Sequence, residues 1–144
     1  MQIHIATSAA DVERCYPVMH QLRPHLERAH FVAQVQRQRQ TQQYTLAYVA
    51  DSDGDSKAVR AVAGYRWQEK LSNGRCLYVD DLVTDAAHRS QGYGEALLDW
   101  LIVRARAADC ATLLLDSGVQ RRGAHRFYFR IGMHITGYHF IMEL

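Results

Sequence analysis

The chain has 144 residues, 48% apolar and 22% charged, which suits one compact globular domain, 1–144, with a core large enough to fold alone. Seventeen Lys and Arg stand against 15 Asp and Glu, and a formal charge of +2 implies no bulk attraction to nucleic acid. Three scattered cysteines, Cys15, Cys76 and Cys110, make neither a disulfide framework nor a zinc site, and no run nears the roughly 18 apolar residues of a membrane span.

The N-terminus, Met1-Gln-Ile-His-Ile5, lacks a basic region leading into an apolar run, so a cytoplasmic chain with reduced thiols is expected. Residues 2–6 alternate like a strand, and Ser8 with Asp11 three residues on forms a capping-box helix start. Val12, Cys15, Tyr16, Met19 and Leu22 then share a helical face. Pro17 should kink or split that helix, and Arg23-Pro24 should end it. A second helix is expected over 27–40, with its Gln- and Arg-rich side in water.

From Tyr44 the period changes to two. Strands are expected over 44–50, 58–68 and 76–84, separated by a loop over 51–55 and a turn at Ser72-Asn-Gly74, as an antiparallel meander. A helix follows with Leu97, Leu98, Leu101, Ile102, Ala105 and Ala108 as its buried stripe. The apolar run 112–116 reads as a strand parallel to its predecessor, because a helix separates the two. A last helix over 121–131 stops at Gly132, and a final strand is expected over 135–143. The fold class is α+β, with a mixed, mostly antiparallel sheet flanked by helices.

The most informative stretch joins the strand Leu77-Tyr-Val-Asp-Asp-Leu-Val-Thr84 to the helix from Glu95 through Arg89-Ser-Gln-Gly-Tyr-Gly94. Glycines at a helix N-terminus let a ligand approach backbone N–H groups, where the dipole adds roughly half a positive charge. A phosphate-bearing cofactor suits that place. No Lys-Ser or Lys-Thr pair follows the glycines, which disfavours a nucleotide-hydrolysing P-loop, and Leu97 stands where a dinucleotide fingerprint needs its third glycine.

Arg-x-x-Gly-x-Gly after a strand resembles the phosphate loop of the GNAT superfamily of acyl-CoA-dependent N-acyltransferases. Ala124-His-Arg-Phe-Tyr-Phe-Arg-Ile-Gly-Met133 resembles the family's second block, Ala-x-x-(apolar)-Tyr-x-x-x-Gly-(Phe or Met), and the order of elements agrees with the family's fold. The resemblance covers most of the chain from about Tyr44 onward. It implies an acetyl-CoA-dependent N-acetyltransferase in which a primary amine attacks directly, with no metal.

The resemblance also assigns residues. The pantetheine chain of acetyl-CoA would pair with Leu82, Val83 and Thr84, one N–H facing the thioester oxygen. The pyrophosphate would lie on the amides of Gln91, Gly92, Tyr93 and Gly94, next to Arg89 and Ser90, while Glu95 points away. Tyr128 takes the place of the general acid that meets the departing thiolate. Passing a proton from a phenol near pKa 10 to a thiolate near 8.5 is uphill by roughly 2 kcal/mol, so a hydrogen bond is easier than full transfer.

Strict alternation sends Asp80 and Asp81 to opposite faces, so only one of them would border the acceptor and orient it as a base. A carboxylate near pKa 4 is a poor base toward an ammonium near 10 and needs a raised pKa or a relaying water. With Glu69, these aspartates favour a cationic acceptor, either a small-molecule amine or a protein amine. Arg121, Arg122, Arg126 and Arg130 read as mostly solvated, and His125, His134 and His139 as structural. A homodimer is left open by the apolar final strand. The rival readings are a non-catalytic acyl-CoA-binding or regulatory domain, opposed by Tyr128 and the aspartate pair, and an acyltransferase with another acyl chain or acceptor.

Overall fold

The structure, a computed structural model, describes residues 1–51 and 58–144, and most of the expected 51–55 loop lies outside them. Two compact units, Met1–Leu114 and Leu115–Leu144, are taken in turn.

The first unit begins with β1, Gln2–Ile5, and α1, Ala9–Leu22. Ser8 and Asp11 close the expected capping box: the Ser8 hydroxyl accepts from the Asp11 N–H at 3.1 Å, and the Asp11 carboxylate accepts from the Ser8 N–H at 3.1 Å. Contrary to expectation, α1 runs through Pro17 without a break. The lost hydrogen bond is outweighed by the cap and by burial of Val12, Cys15, Val18 and Met19 on both sides of the proline. The helix does end at Arg23-Pro24, and α2 spans Arg28–Gln42, closed by Gln43 at φ 55°.

Strands β2, Thr45–Ala50, β3, Val59–Lys70, and β4, Gly74–Thr84, form the antiparallel meander. A short 3-10 turn, Ala86–His88, leads to α3, Tyr93–Ala107, and β5, Thr112–Leu115, follows. The sheet order is β1-β2-β3-β4-β5, with β5 the parallel neighbour. Leu46, Tyr48, Val62 and Val83 belong to a core with Val12, Cys15, Met19, Phe31 and Val35, so α1 and α2 cover one face. Tyr65 points to the opposite face, edge-on to Trp100 of α3 with ring centroids 6.2 Å apart. On α3, Leu97, Leu98, Leu101 and Ala105 are buried, while Ile102, and Ala108 at the cap just past the helix, are only half-buried.

In the second unit, α4 spans Arg122–Arg130. Its end is a Schellman motif: Gly132, at φ 92°, donates to Phe129 O at 3.1 Å and Met133 donates to Tyr128 O at 3.0 Å, confirming Gly132 as the residue beyond the cap. The strand expected over 135–143 is not formed. Backbone groups make a strand only where a neighbour completes their hydrogen bonds, and residues 133–144 have no ladder partner among the described residues. Gly137 interrupts the apolar run there, and Ile135, Tyr138, Phe140, Ile141 and Met142 are exposed.

Candidate active site

The site in the first unit is built on one irregularity of β4. Gly64 of β3 pairs with Asp81, but the next residue, Tyr65, pairs with Val79, so Asp80 is an extra residue opposite no partner. Such a bulge shifts the alternation by one. Before it, Tyr78 faces the α1/α2 side with Arg66. After it, Asp81 and Val83 face that side with Gly64 and Val62. Asp80 and Asp81 therefore stand on the same face, correcting the expectation of opposite faces. The physical reason is the added residue, which alternation alone cannot register.

Each carboxylate has its own partners. Arg66 grips Asp80 with two hydrogen bonds, Nε to Oδ2 at 2.8 Å and Nη2 to Oδ1 at 2.6 Å. Asp81 accepts from Arg23 Nε at 2.8 Å on Oδ1 and from the Tyr44 hydroxyl at 2.8 Å on Oδ2. Burial first, then the Asp81 charge, pushes the Tyr44 phenol well above its ordinary range, so it stays a neutral donor. None of Arg23, Tyr44, Gly64 and Arg66 was singled out from the sequence as part of the site. Gly64, inside an otherwise apolar strand, was the available signal, since a strand glycine marks a bulge or a close approach.

Past the bulge, Leu82, Val83 and Thr84 pair with β3 on one side. On the other side, the join to β5 starts low, where Ala111 N donates to Arg75 O at 2.9 Å. Counted on from that bond, the four residues of β5 reach no further than about Asp80 of the 11-residue β4. The outer edge of Leu82–Thr84 is thus free of β5 and can take an extended ligand.

The turn after β4 is held from α1. Gln21 donates to Asp85 Oδ1 at 3.0 Å and accepts from Ala86 N at 2.8 Å, and Asp85 Oδ2 meets His88 Nδ1 at 2.8 Å. The bond from Gln21 is the main cause holding the Asp85 carboxyl below its usual range. Ser90, at φ 61°, and Gly92, at φ 85°, turn the chain sharply into α3. The first helical bond is Ala96 N to Gly92 O at 2.9 Å, so the amides at the start of α3 have no carbonyl one turn back.

A β-carbon on Gly94 would lie 3.0 Å from Thr84 Oγ1, which packs the helix start against the end of β4, while one on Gly92 would enter open space. The backbone thus leaves room for a phosphate group. Arg89, Ser90, Gln91 and Gly92 are exposed, as is Glu95. The Tyr93 hydroxyl is turned to Asp51, to which it donates at 3.0 Å, and Arg60 also binds Asp51 at 2.6 Å.

The structure brings together Asp80 to Thr84 and the loop Arg89 to Gly94, all within the first unit. Tyr128 lies on α4, where burial pushes its phenol up against an opposing effect of Arg121. His139 approaches Asp116 at 3.3 Å. Among the described residues no group of three or more His, Cys, Asp or Glu could hold a metal ion, and no helix is long and apolar enough to cross a membrane.

Comparison with known proteins gives consistent matches. Residues 10–133 match the acetyltransferase (GNAT) family. Over 135 residues the chain is 35% identical to the uncharacterized N-acetyltransferase YhdJ of Bacillus subtilis (strain 168), covering 93% of this chain and 92% of that protein. Similar solved structures include a transcriptional regulator from Bacillus halodurans C-125, with TM-score 0.84, 21% identity and 99% of each chain covered. Another is the ribosomal-protein-alanine N-acetyltransferase from Brucella melitensis biovar Abortus 2308, with TM-score 0.82, 14% identity and 100% of each chain covered.

Proposed function

The chain belongs to the GNAT acetyltransferase family and is an N-acetyltransferase, and from that premise we propose that it moves an acetyl group from acetyl-CoA to a primary amine by direct attack. The observation that carries the reading is the junction of a β4 edge free of β5 with a glycine turn opening α3. An extended thioester arm and its phosphates need those two features side by side.

Acetyl-CoA, when bound, supplies the activated acetyl group. The backbone of Leu82, Val83 and Thr84 pairs with the pantetheine arm, and one N–H polarises the thioester carbonyl. The amides of Gln91 to Gly94 take the pyrophosphate, with Arg89 and Ser90 beside it. The acidic pair at the bulge, Asp80 and Asp81, borders the acceptor on the α1/α2 face, where the amine must be oriented and lose a proton to water before attack. Tyr128, from its place in the second motif, donates a hydrogen bond to the leaving thiolate. Its raised phenol favours that bond over full proton transfer.

The test is a panel of primary amines incubated with acetyl-CoA while free CoA thiol is followed. Thiol release that depends on one amine class supports the proposal and identifies the acceptor. CoA binding without release by any amine would instead favour a binding module.

A further inference from the structure

The ion pairs around the bulge separate the roles of the two aspartates. Asp80 is fully engaged, with both oxygens bonded by Arg66, whose guanidinium also lies 5.5 Å from the centre of the Tyr78 ring. Both side chains of this pair are largely covered, at 23% and 22% exposure. Removing Arg66 would leave a shielded carboxylate without either bond, which is strongly unfavourable.

Asp81 is held in another way. Its Oδ2 is fixed by the buried Tyr44, but its Oδ1 takes a single bond from Arg23, whose side chain is 43% exposed against 13% for Asp81. The second contact of Arg23 is Nη2 to the main-chain oxygen of Asp80 at 3.0 Å. Arg23 caps α1 just before Pro24, in the short connection between α1 and α2. Its head can swing into water without moving strand or helix.

Asp81 Oδ1 and Asp80 O therefore form a two-oxygen cation seat at the bulge, filled by a cation of the chain itself. A primary ammonium, compact and with three donors, can satisfy the same two oxygens. We propose that this pair is the seat of the acceptor's ammonium group and that Arg23 is a resident cation which the acceptor displaces, a specificity role that rests on the acetyltransferase reading above. A neutral alcohol or an anionic acceptor would leave the Asp81 charge uncompensated once Arg23 departs, so the seat selects cationic amines. Arg66 and Tyr44 remain in place as positioning residues.

The experiment is a ligand-detected NMR titration of the full chain with n-propylammonium chloride, with n-propanol as the neutral control. Arg23→Ala removes the competitor and should tighten n-propylammonium about tenfold. Arg23→Lys restores a competing cation and should return the affinity toward that of the unmodified chain. Asp81→Asn should abolish binding, and n-propanol should bind to none of the variants. Equal or weaker binding to Arg23→Ala, or undiminished binding to Asp81→Asn, would overturn the proposal. Circular dichroism melts check folding, and Arg23→Gln repeats the test if the alanine variant is unfolded. Thiol release from acetyl-CoA is followed separately. Its absence for every amine, while n-propylammonium still binds, would count against the acetyltransferase reading and not against the seat.

Discussion

Tyr44 lies across the α-carbon of Gly64 so closely that a β-carbon built there would be 1.8 Å from the phenol oxygen. The same oxygen donates to Asp81 at 2.8 Å, so a missing side chain on β3 is what lets Tyr44 reach the carboxylate on β4. Gly64→Ala must push the ring aside. It should lower stability by about 1–3 kcal/mol in denaturant melts, the usual cost of overpacking. Tyr44→Phe, which keeps the ring and loses only the bond to a charged group, should cost about 1.5–3 kcal/mol. If both variants melt like the unmodified chain, the close approach is not what holds Asp81.

Ligand binding to the native state raises the melting temperature in proportion to its affinity. CoA should therefore stabilise the protein, and ATP and NAD should not. The comparison is a thermal-shift series at equal ligand concentrations, and equal stabilisation by ATP would contradict the phosphate-loop assignment.

Gly92, at φ 85° with open space beside it, and Gly94, with Thr84 Oγ1 3.0 Å from where a β-carbon would lie, differ in what a side chain would disturb. Valine at either position obstructs the ground state and the transition state alike. The KM for acetyl-CoA should rise by more than kcat falls. Steady-state kinetics decide, and a loss confined to kcat would remove the loop from cofactor binding.

Tyr128→Phe separates chemistry from packing. If the hydroxyl meets the developing thiolate, kcat should fall about ten- to a thousandfold with CoA affinity nearly unchanged. An active variant that is merely about 1 kcal/mol less stable would return the residue to a packing role.

Acid should weaken the first unit through particular carboxylates. The Asp51 carboxyl is held below the usual carboxylate range chiefly by the Arg60 hydrogen bond, and that of Asp85 chiefly by Gln21. A depressed folded-state pKa contributes stability that is present above the unfolded value and is lost as pH falls through the folded one. The melting temperature should hold steady down to about pH 4–5 and drop below that. Asp51→Asn should flatten part of the drop, as read from melts across pH 2–7.

Much of this protein was legible in its sequence because the signals are local. The capping box at Ser8 and Asp11, the helix stop at Arg23-Pro24, the stripe Leu97, Leu98, Leu101 and Ala105, and the cap at Gly132 each depend on residues within a turn or two of one another. The glycine turn before α3 was readable for the same reason, since Gly92 and Gly94 act through backbone geometry at their own positions. The final strand over 135–143 was not determined locally, because a strand exists only when another chain segment completes its hydrogen bonds. The helix through Pro17 likewise depended on what the sheet offered its apolar face. The bulge at Asp80 was decided only in three dimensions. Its register is set by how β3 and β4 pair, and that one extra residue turned two neighbouring aspartates onto one face. Arg23, Tyr44 and Arg66 come from distant parts of the chain, at separations of 58, 37 and 14 residues from the aspartates they bind. No periodicity in the sequence encodes such meetings, because they follow from tertiary packing.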